Sequence, residues 1–334
     1  MAEREYIWAV ALKIQTVKGT DAVPTFVANA VRHVGNPAFV TINHLDDGDA
    51  SDQQFGGLGI FNEGEKTGEW GQFDITLAVK GAGADYFVVT NRPEWDAPLR
   101  ASGFAVAATG ASGSGVLTYK PFDSGTFEYL SAYLQGANKL FKLVDCVALP
   151  KFSADAAKKG LFTFTIIGRV ASILETVYTG QTLSSVTAPA FKGAAVSLGA
   201  WTSADSPNPL ILHDCAIDFG AGYTPQESAG ATDGLAGFEI NDRKLSFSAT
   251  VAVVPLTKFD PWAESRVARP SGTSRKPVFQ LGTLQFSRVK FSLGEWAFKP
   301  PVPAGKNRLL TYPLSGPVLA KSHTNTMEIE IIAD

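Results

Sequence analysis

His213-Asp214-Cys215 sets a base, a carboxylate and a thiol side by side, the parts of a nucleophilic centre. Such a centre needs base and thiol within hydrogen-bond reach and a third group orienting the base. Adjacent residues on a strand point to opposite faces, so His213 and Cys215 would share one face without Asp214. A buried thiol beside a surface histidine is the expectation. His33, His44 and His323 are scattered, with no partner at metal-ligand spacing. Neither a Gly-x-Ser-x-Gly elbow nor a Gly-Lys-Ser/Thr phosphate loop is present. Gly110 to Gly115 resembles a phosphate loop in composition alone, since no helix or base follows promptly. The acidic cluster Asp46, Asp47, Asp49 and Asp52 lacks the Gly and terminal Glu that an EF-hand requires. It reads as a solvated loop, with a weak calcium site as the rival. No catalytic residue, cofactor or metal is expected, and the chain is not read as an enzyme.

The elements that carry these residues are short strands. Apolar residues make up 45% of the 334 and charged residues 18%, with 32 Gly and 19 Pro, a composition suited to strands and turns. A net charge of −3 supplies no basic field to hold nucleic acid by counterion release. Cys146 and Cys215 form neither a disulfide framework nor a zinc signature and read as buried thiols. No apolar run approaches the roughly 18 residues of a membrane span, and Met1 to Tyr6 lacks the features of a signal peptide. Synthesis in a cytoplasm is expected, and later assembly into something exported is compatible with it.

One pattern recurs. Leu161, Thr163, Phe164, Ile166, Gly168 and Val170 stand in the same register as Leu309, Thr311, Tyr312, Leu314, Gly316 and Val318. Upstream, Asn36-Pro37 leads into a strand at Ala38 to Asn43 as Asn208-Pro209 leads into Leu210 to Phe219. Period-two strands follow at Trp70 to Val79 and Leu245 to Val253. Short helices follow around Pro93-Glu94-Trp95 and Asp260-Pro261-Trp262, the first shortened by Pro98. Matches that keep their order while their separation shrinks indicate two copies with shorter loops in the second. The expected fold is mainly β, with two tandem β-sandwich or barrel domains, each flanked by a short helix. Residues 1–178 form the first and 206–334 the second, with 179–205 as linker and a last strand at Thr326 to Ile332. In the first copy, residues 7–35 read as an extended arm and His44 to Glu69 as a long acidic loop carrying Glu63 and Glu65 as well. Val116 to Pro121, Phe127 to Leu134 and Lys139 to Ala148 read as strands, and Lys151 to Gly160 and Gly220 to Gly237 as loops. Val278 to Phe286 and Val289 to Phe298 complete the strands.

Charge is polarised within the second copy. Asp214 to Asp242 holds six acids and no Lys or Arg, whereas Arg266 to Arg308 holds nine bases and Glu295 alone as an acid. Opposite charges at two ends suit head-to-tail association into rings or filaments. Loop charges selected for solubility explain the same pattern, and the sequence does not choose.

Three stretches resemble the tail tube (major tail) proteins of long, non-contractile-tailed bacteriophages: Lys18-Gly19-Thr20-Asp21-Ala22-Val23-Pro24-Thr25, Pro98-Leu99-Arg100-Ala101-Ser102-Gly103-Phe104 and Gly160-Leu161-Phe162-Thr163-Phe164-Thr165. The resemblance implies a β-sandwich with a flanking helix whose strands join those of neighbouring copies into a barrel around a lumen. It implies rings stacked into a virion tube, filled by the tape-measure protein during assembly, bounded by terminator and distal tail proteins, and crossed by genome DNA without specific binding. It assigns contacts with the adjoining ring to residues 1–35 and to the loop bearing Asp46, Asp47, Asp49, Asp52, Glu63 and Glu65. The common form has one domain and hexameric rings, so two domains per chain imply trimeric, pseudo-hexameric rings. A lumen poor in bases is expected, because each Lys or Arg facing DNA adds friction. The rivals are a distal tail or terminator ring, and a carbohydrate-binding or -processing β-sandwich using Trp70, Trp201, Trp262 and Trp296. Pro313, standing where Thr165 stands, donates no backbone hydrogen bond and belongs at an edge, bulge or strand end.

Overall fold

The structure, a computed structural model, describes residues 9–35, 37, 40–46, 66–88, 90–121, 127–136, 138–193, 195–231, 234–266, 275–306, 308–319 and 329–334. The first half runs β1 (Ala9–Ile14), β2 (Thr41–Asp46), β3 (Lys66–Ala78), α1 (Asp96–Arg100), β4 (Phe104–Thr109), β5 (Val116–Pro121), β6 (Leu130–Gly136), β7 (Lys139–Asp155) and β8 (Leu161–Glu175). Then follow β9 (Val196–Leu198), β10 (Trp201–Thr202), β11 (Leu212–Asp218), β12 (Gly222–Glu227), β13 (Leu235–Asp242), β14 (Ser246–Ala252) and α2 (Pro261–Arg266). The chain closes with β15 (Pro277–Leu281), β16 (Val289–Leu293), β17 (Glu295–Trp296), β18 (Ala304–Lys306), β19 (Leu309–Leu319) and β20 (Ile329–Ala333). The protein is mainly β, as the composition implies, and its strand pairs are antiparallel.

Two sheets face each other. The larger follows the order β17-β19-β14-β11-β7-β8-β3-β2, with β6 and β1 added beside β7 and β18 beside β19. The smaller follows β10-β9-β15-β16-β20-β5-β4. Period-two patterning decides which side of the large sheet is buried: Phe73 and Ile75, Phe162 and Phe164, Ile217, Phe247 and Leu314 point inward. They meet Phe279 and Phe291 of the small sheet, with Phe152 to Phe291 at 4.5 Å and Phe247 to Phe279 at 6.0 Å between ring centres. One core therefore runs through both halves of the chain.

The helices are pinned to that core by aromatic residues. Trp95 is fully buried, donates its Nε1–H to the Lys80 carbonyl at 2.8 Å, and packs on Tyr119 and Phe162. Asp96 accepts from the Tyr119 hydroxyl at 2.6 Å and pairs with Arg100, which in turn holds Glu128. In α2, Asp260 caps the first turn by accepting from the amides of Trp262 and Ala263, each at 3.0 Å. Trp262 packs edge-on against Tyr312.

Several expected boundaries move. Residues 9–14 of the expected arm form β1, paired along its whole length with β6 and buried from Ala9 to Leu12, because a run of apolar residues is stabilised by coverage on both faces. The expected loop Lys151 to Gly160 is strand as far as Asp155, since Phe152 and Ala154 alternate with polar residues and bury themselves. Within the expected linker, β9 and β10 join the small sheet and Trp201 stacks on Phe259 at 4.8 Å. The expected acidic loop Gly220 to Gly237 contains β12 and the start of β13, a hairpin whose Gly, Pro and polar residues hide its strand character. The segment His44 to Glu69 begins and ends in paired strand, Leu45 opposite Thr67. The strand expected to reach Phe286 ends at Leu281, where Gly282 adopts a φ of +79°.

Candidate assembly surface

The repeated pattern marks two strands with matching neighbours. Across the first half a single row passes from Ile42 to Gly71 to Gly168; across the second, from Ile217 to Phe247 to Gly316. The two glycines do one job. A Cβ on Gly168 would lie 2.9 Å from the Val144 oxygen and 3.1 Å from the Cys146 Cα, and one on Gly316 would lie 2.7 Å from the Phe298 Cα. Each lets the backbone of the next strand cross closely. Phe164 and Tyr312 are both buried, as are Ile166 and Leu314. Thr163 and Thr311 face the flanking strand, opposite Lys151 and Ala304, and Leu161 stands opposite Ser153. Leu309 and Leu310 are exposed, where their counterparts Leu161 and Phe162 are half-buried and buried.

That difference follows from what covers each strand. In the first half, β7 continues beside β8 and then pairs with β11, with Phe152 opposite Ile217 and Lys151 opposite Asp218. This β7–β11 ladder joins the halves of the large sheet. In the second half the place of β7 is taken by β17 and β18, separated by Pro300, Pro301 and Pro303. No described strand lies beyond β18, nor beyond β2 at the opposite end of the path. Pro313 falls where its missing N–H is harmless. Ser315 and Pro317 accept from Lys299 and Ala297 on the outer side of β19, so alternation turns the Pro313 nitrogen to that side, between β17 and β18.

The face of the large sheet turned away from the core is lined by small hydroxyl residues. Thr76, Thr163 and Thr165 stand on it in the first half and Ser248, Thr250 and Ser315 in the second, by alternation with the buried positions. Charges on its middle are Asp74, Asp155, Asp214 and Asp218, with Lys151 paired to Asp218, Lys158 to Asp155 and Lys306 to Asp214, while Lys244 and Lys299 stand exposed on the outward side of β14 and β19. At one end this face is covered. The β12–β13 hairpin lies on it, with Tyr223 and Phe238 against Trp70 at 6.1 and 5.8 Å and Leu235 packed with Val147 and Ile167.

Beside these surfaces the residues with chemical potential are occupied otherwise. Burial pushes the thiols of Cys146 and Cys215 up from their ordinary value, and neither forms a disulfide. The β11 register slips between Leu212 and Asp214, and Asp214 is committed to Lys306 rather than to His213. Among the described residues no group of His, Cys, Asp and Glu is arranged to hold a metal ion. The loop between β4 and β5 is tied to Asp85, which accepts from the amides of Gly113 and Gly115 and of Phe87; these bonds lower its pKa. Trp70, Trp201, Trp262 and Trp296 all pack against other rings. Asp46 ends β2 opposite Lys66, while Asp47, Asp49, Asp52, Glu63 and Glu65 lie outside the described residues. No helix among the described residues is long and apolar enough to cross a membrane. No protein-family model and no curated protein sequence matches the chain.

Proposed function

We propose that the chain is a structural subunit whose two halves are copies of one strand unit, and that it joins copies of itself edge to edge into rings that stack as a phage tail tube. The observation that carries this is the stagger of the large sheet. The row through Phe162, Phe152, Ile217 and Phe247 arrives at Gly316, whose counterpart in the first half is Gly168. Four strands therefore displace the row from Phe162 to the level of Gly168. With ~3.3 Å per residue along a strand and ~4.8 Å between strands, such a stagger tilts strands by about 46°, close to the tilt of closed barrels. A sheet that repeats this step closes rather than spreading, and closure removes the open edges at β2 and β18.

The β7–β11 ladder supplies the pattern for the seam between chains. Gly305 stands beside Leu310 as Phe152 stands beside Phe162, and Ile42 stands beside Gly71 as Ile217 stands beside Phe247. The seam would thus set Gly305 of one chain opposite Ile42 of the next. Three chains give six units of four strands, and at the tilt above their backbone circle is about 50 Å across. The hydroxyl-rich, acid-bearing face would then line the lumen, a wall along which genome DNA slides with few phosphate contacts. Tape-measure protein would occupy the lumen during assembly, with terminator and distal tail proteins at the ends, in a virion assembled in the host cytoplasm.

Negative-stain microscopy of the purified full chain tests this. Long stacked cylinders with threefold symmetry and six lobes are expected. Single rings that never stack point to a terminator or distal tail role, and a persistent monomer at high concentration refutes edge-to-edge assembly.

A further inference from the structure

A basic groove on the second half occupies the position at which the β12–β13 hairpin docks on the first. The groove, about 590 Å³, runs along the outward side of β14 and β19 and is lined by Lys244, Ser246, Lys299, Ser315 and Pro317 among others. In the row correspondence, Ser246 stands for Trp70, Ser315 for Ile167 and Lys299 for Val147. Those first-half residues hold Tyr223, Leu235 and Phe238 of the hairpin. An apolar seat in one half is thus polar and basic in the other, and Lys244 and Lys299 are exposed there.

The hairpin joins β11 to β14 and lies across the ladder onto the preceding unit. Its counterpart in the first half is the segment joining β2 to β3, and among the described residues no strand lies beyond β2 for it to cross. That segment carries Asp46, Asp47, Asp49, Asp52, Glu63 and Glu65, and no Lys or Arg between residues 46 and 65. We propose that the Lys244/Lys299 groove is the docking seat for the acidic 46–65 segment of a second copy of this chain, its lateral neighbour in the ring. Like the hairpin, the segment would clamp the seam, here through charge in place of apolar contact. The proposal rests on edge-to-edge association, and it places this segment against a neighbour in the same ring, whereas the family resemblance places it against the adjoining ring.

Zero-length carbodiimide cross-linking of an assembled equal mixture of unlabelled and ¹⁵N-labelled full chains tests it. The expected products join Lys244 or Lys299 to an acid within 46–65 and include mixed-isotope pairs. The double variant Lys244→Glu/Lys299→Glu is expected to weaken ring formation at least threefold, as for two exposed ion pairs. Adding Asp49→Lys, Asp52→Lys and Glu63→Lys should restore it. Rings that form normally but join these lysines to other acids, or to 46–65 only within one isotope, overturn this proposal and leave edge-to-edge assembly standing. Failure of the wild type to associate at all overturns both.

Discussion

Replacing Gly305 by proline separates the seam from the fold of the chain. Gly305 is the middle residue of β18, and a Cβ built there meets nothing within 4 Å. Thr311 donates through its hydroxyl to the Ala304 carbonyl at 3.0 Å, and alternation turns Ala304 and Lys306 toward β19 and the Gly305 N–H away from it. Proline therefore removes no bond within the chain, and Ala304, being extended, tolerates a following proline. What it removes is the N–H that would pair with Ile42 of the next chain. A backbone hydrogen bond contributes about 1 kcal/mol net, so each seam should weaken about fivefold and a ring closed by three seams roughly 150-fold. Sedimentation velocity across a concentration series reads this directly, with Gly305→Ala as the control expected to assemble normally. Unchanged melting with rings appearing only at much higher concentration is the expected result. Rings forming at the wild-type concentration in Gly305→Pro would refute the seam.

Gly168→Ala and Gly316→Ala should each lower stability by about 1–3 kcal/mol, since a Cβ at either meets a neighbouring backbone that cannot yield like a side chain; urea titration measures it, and a neutral result at either breaks the equivalence of the two positions. Cys146 and Cys215 should stay unreactive toward a disulfide reagent in the native chain and react in denaturant, because burial raises both thiols; fast native labelling would contradict their placement. Burial pushes the Tyr86 hydroxyl up to about 12, above the ~10 of an unfolded tyrosine, so the unfolded chain releases that proton first. Its contribution should be complete below pH 10 and lost as pH rises toward 12, and the loss should be shallower in Tyr86→Phe; equal slopes would deny Tyr86 the role.

Strands with one buried face are legible because alternation runs through most of their length: Phe73, Ile75 and Leu77 of β3, Phe162, Phe164 and Ile166 of β8, Phe247, Ala249 and Val251 of β14, and Tyr312 and Leu314 of β19 are buried at every second position. The β1 strand was missed because Ala9 to Leu12 is buried on both faces and shows no alternation. The strands β9, β10 and β12 consist of small, polar or Pro- and Gly-bearing residues, and their strand form comes from the neighbours they pair with. The match between Gly168 and Gly316 was visible as a spacing, but the stagger was not, because it depends on β7 pairing with β11. Nothing in the sequence linked Lys244 with Lys299. They share a groove because β14 and β19 are neighbours, a relation fixed by the sheet rather than by local pattern.

The β20 strand sits between β16 of the second half and β5 of the first, with Ile331 opposite both Phe291 and Tyr119. Residues 329–333 leave the ribosome after both of the strands they join. Until then the β5 edge waits uncovered, and no strand pairing within the small sheet joins the two halves. Closure of the small sheet is therefore late in translation: a chain synthesised only as far as β19 lacks the strand that joins the two halves through that sheet. A chain stalled before residue 329 would carry an uncovered β5 edge, which makes the interval before β20 docks the moment at which this protein most depends on being shielded.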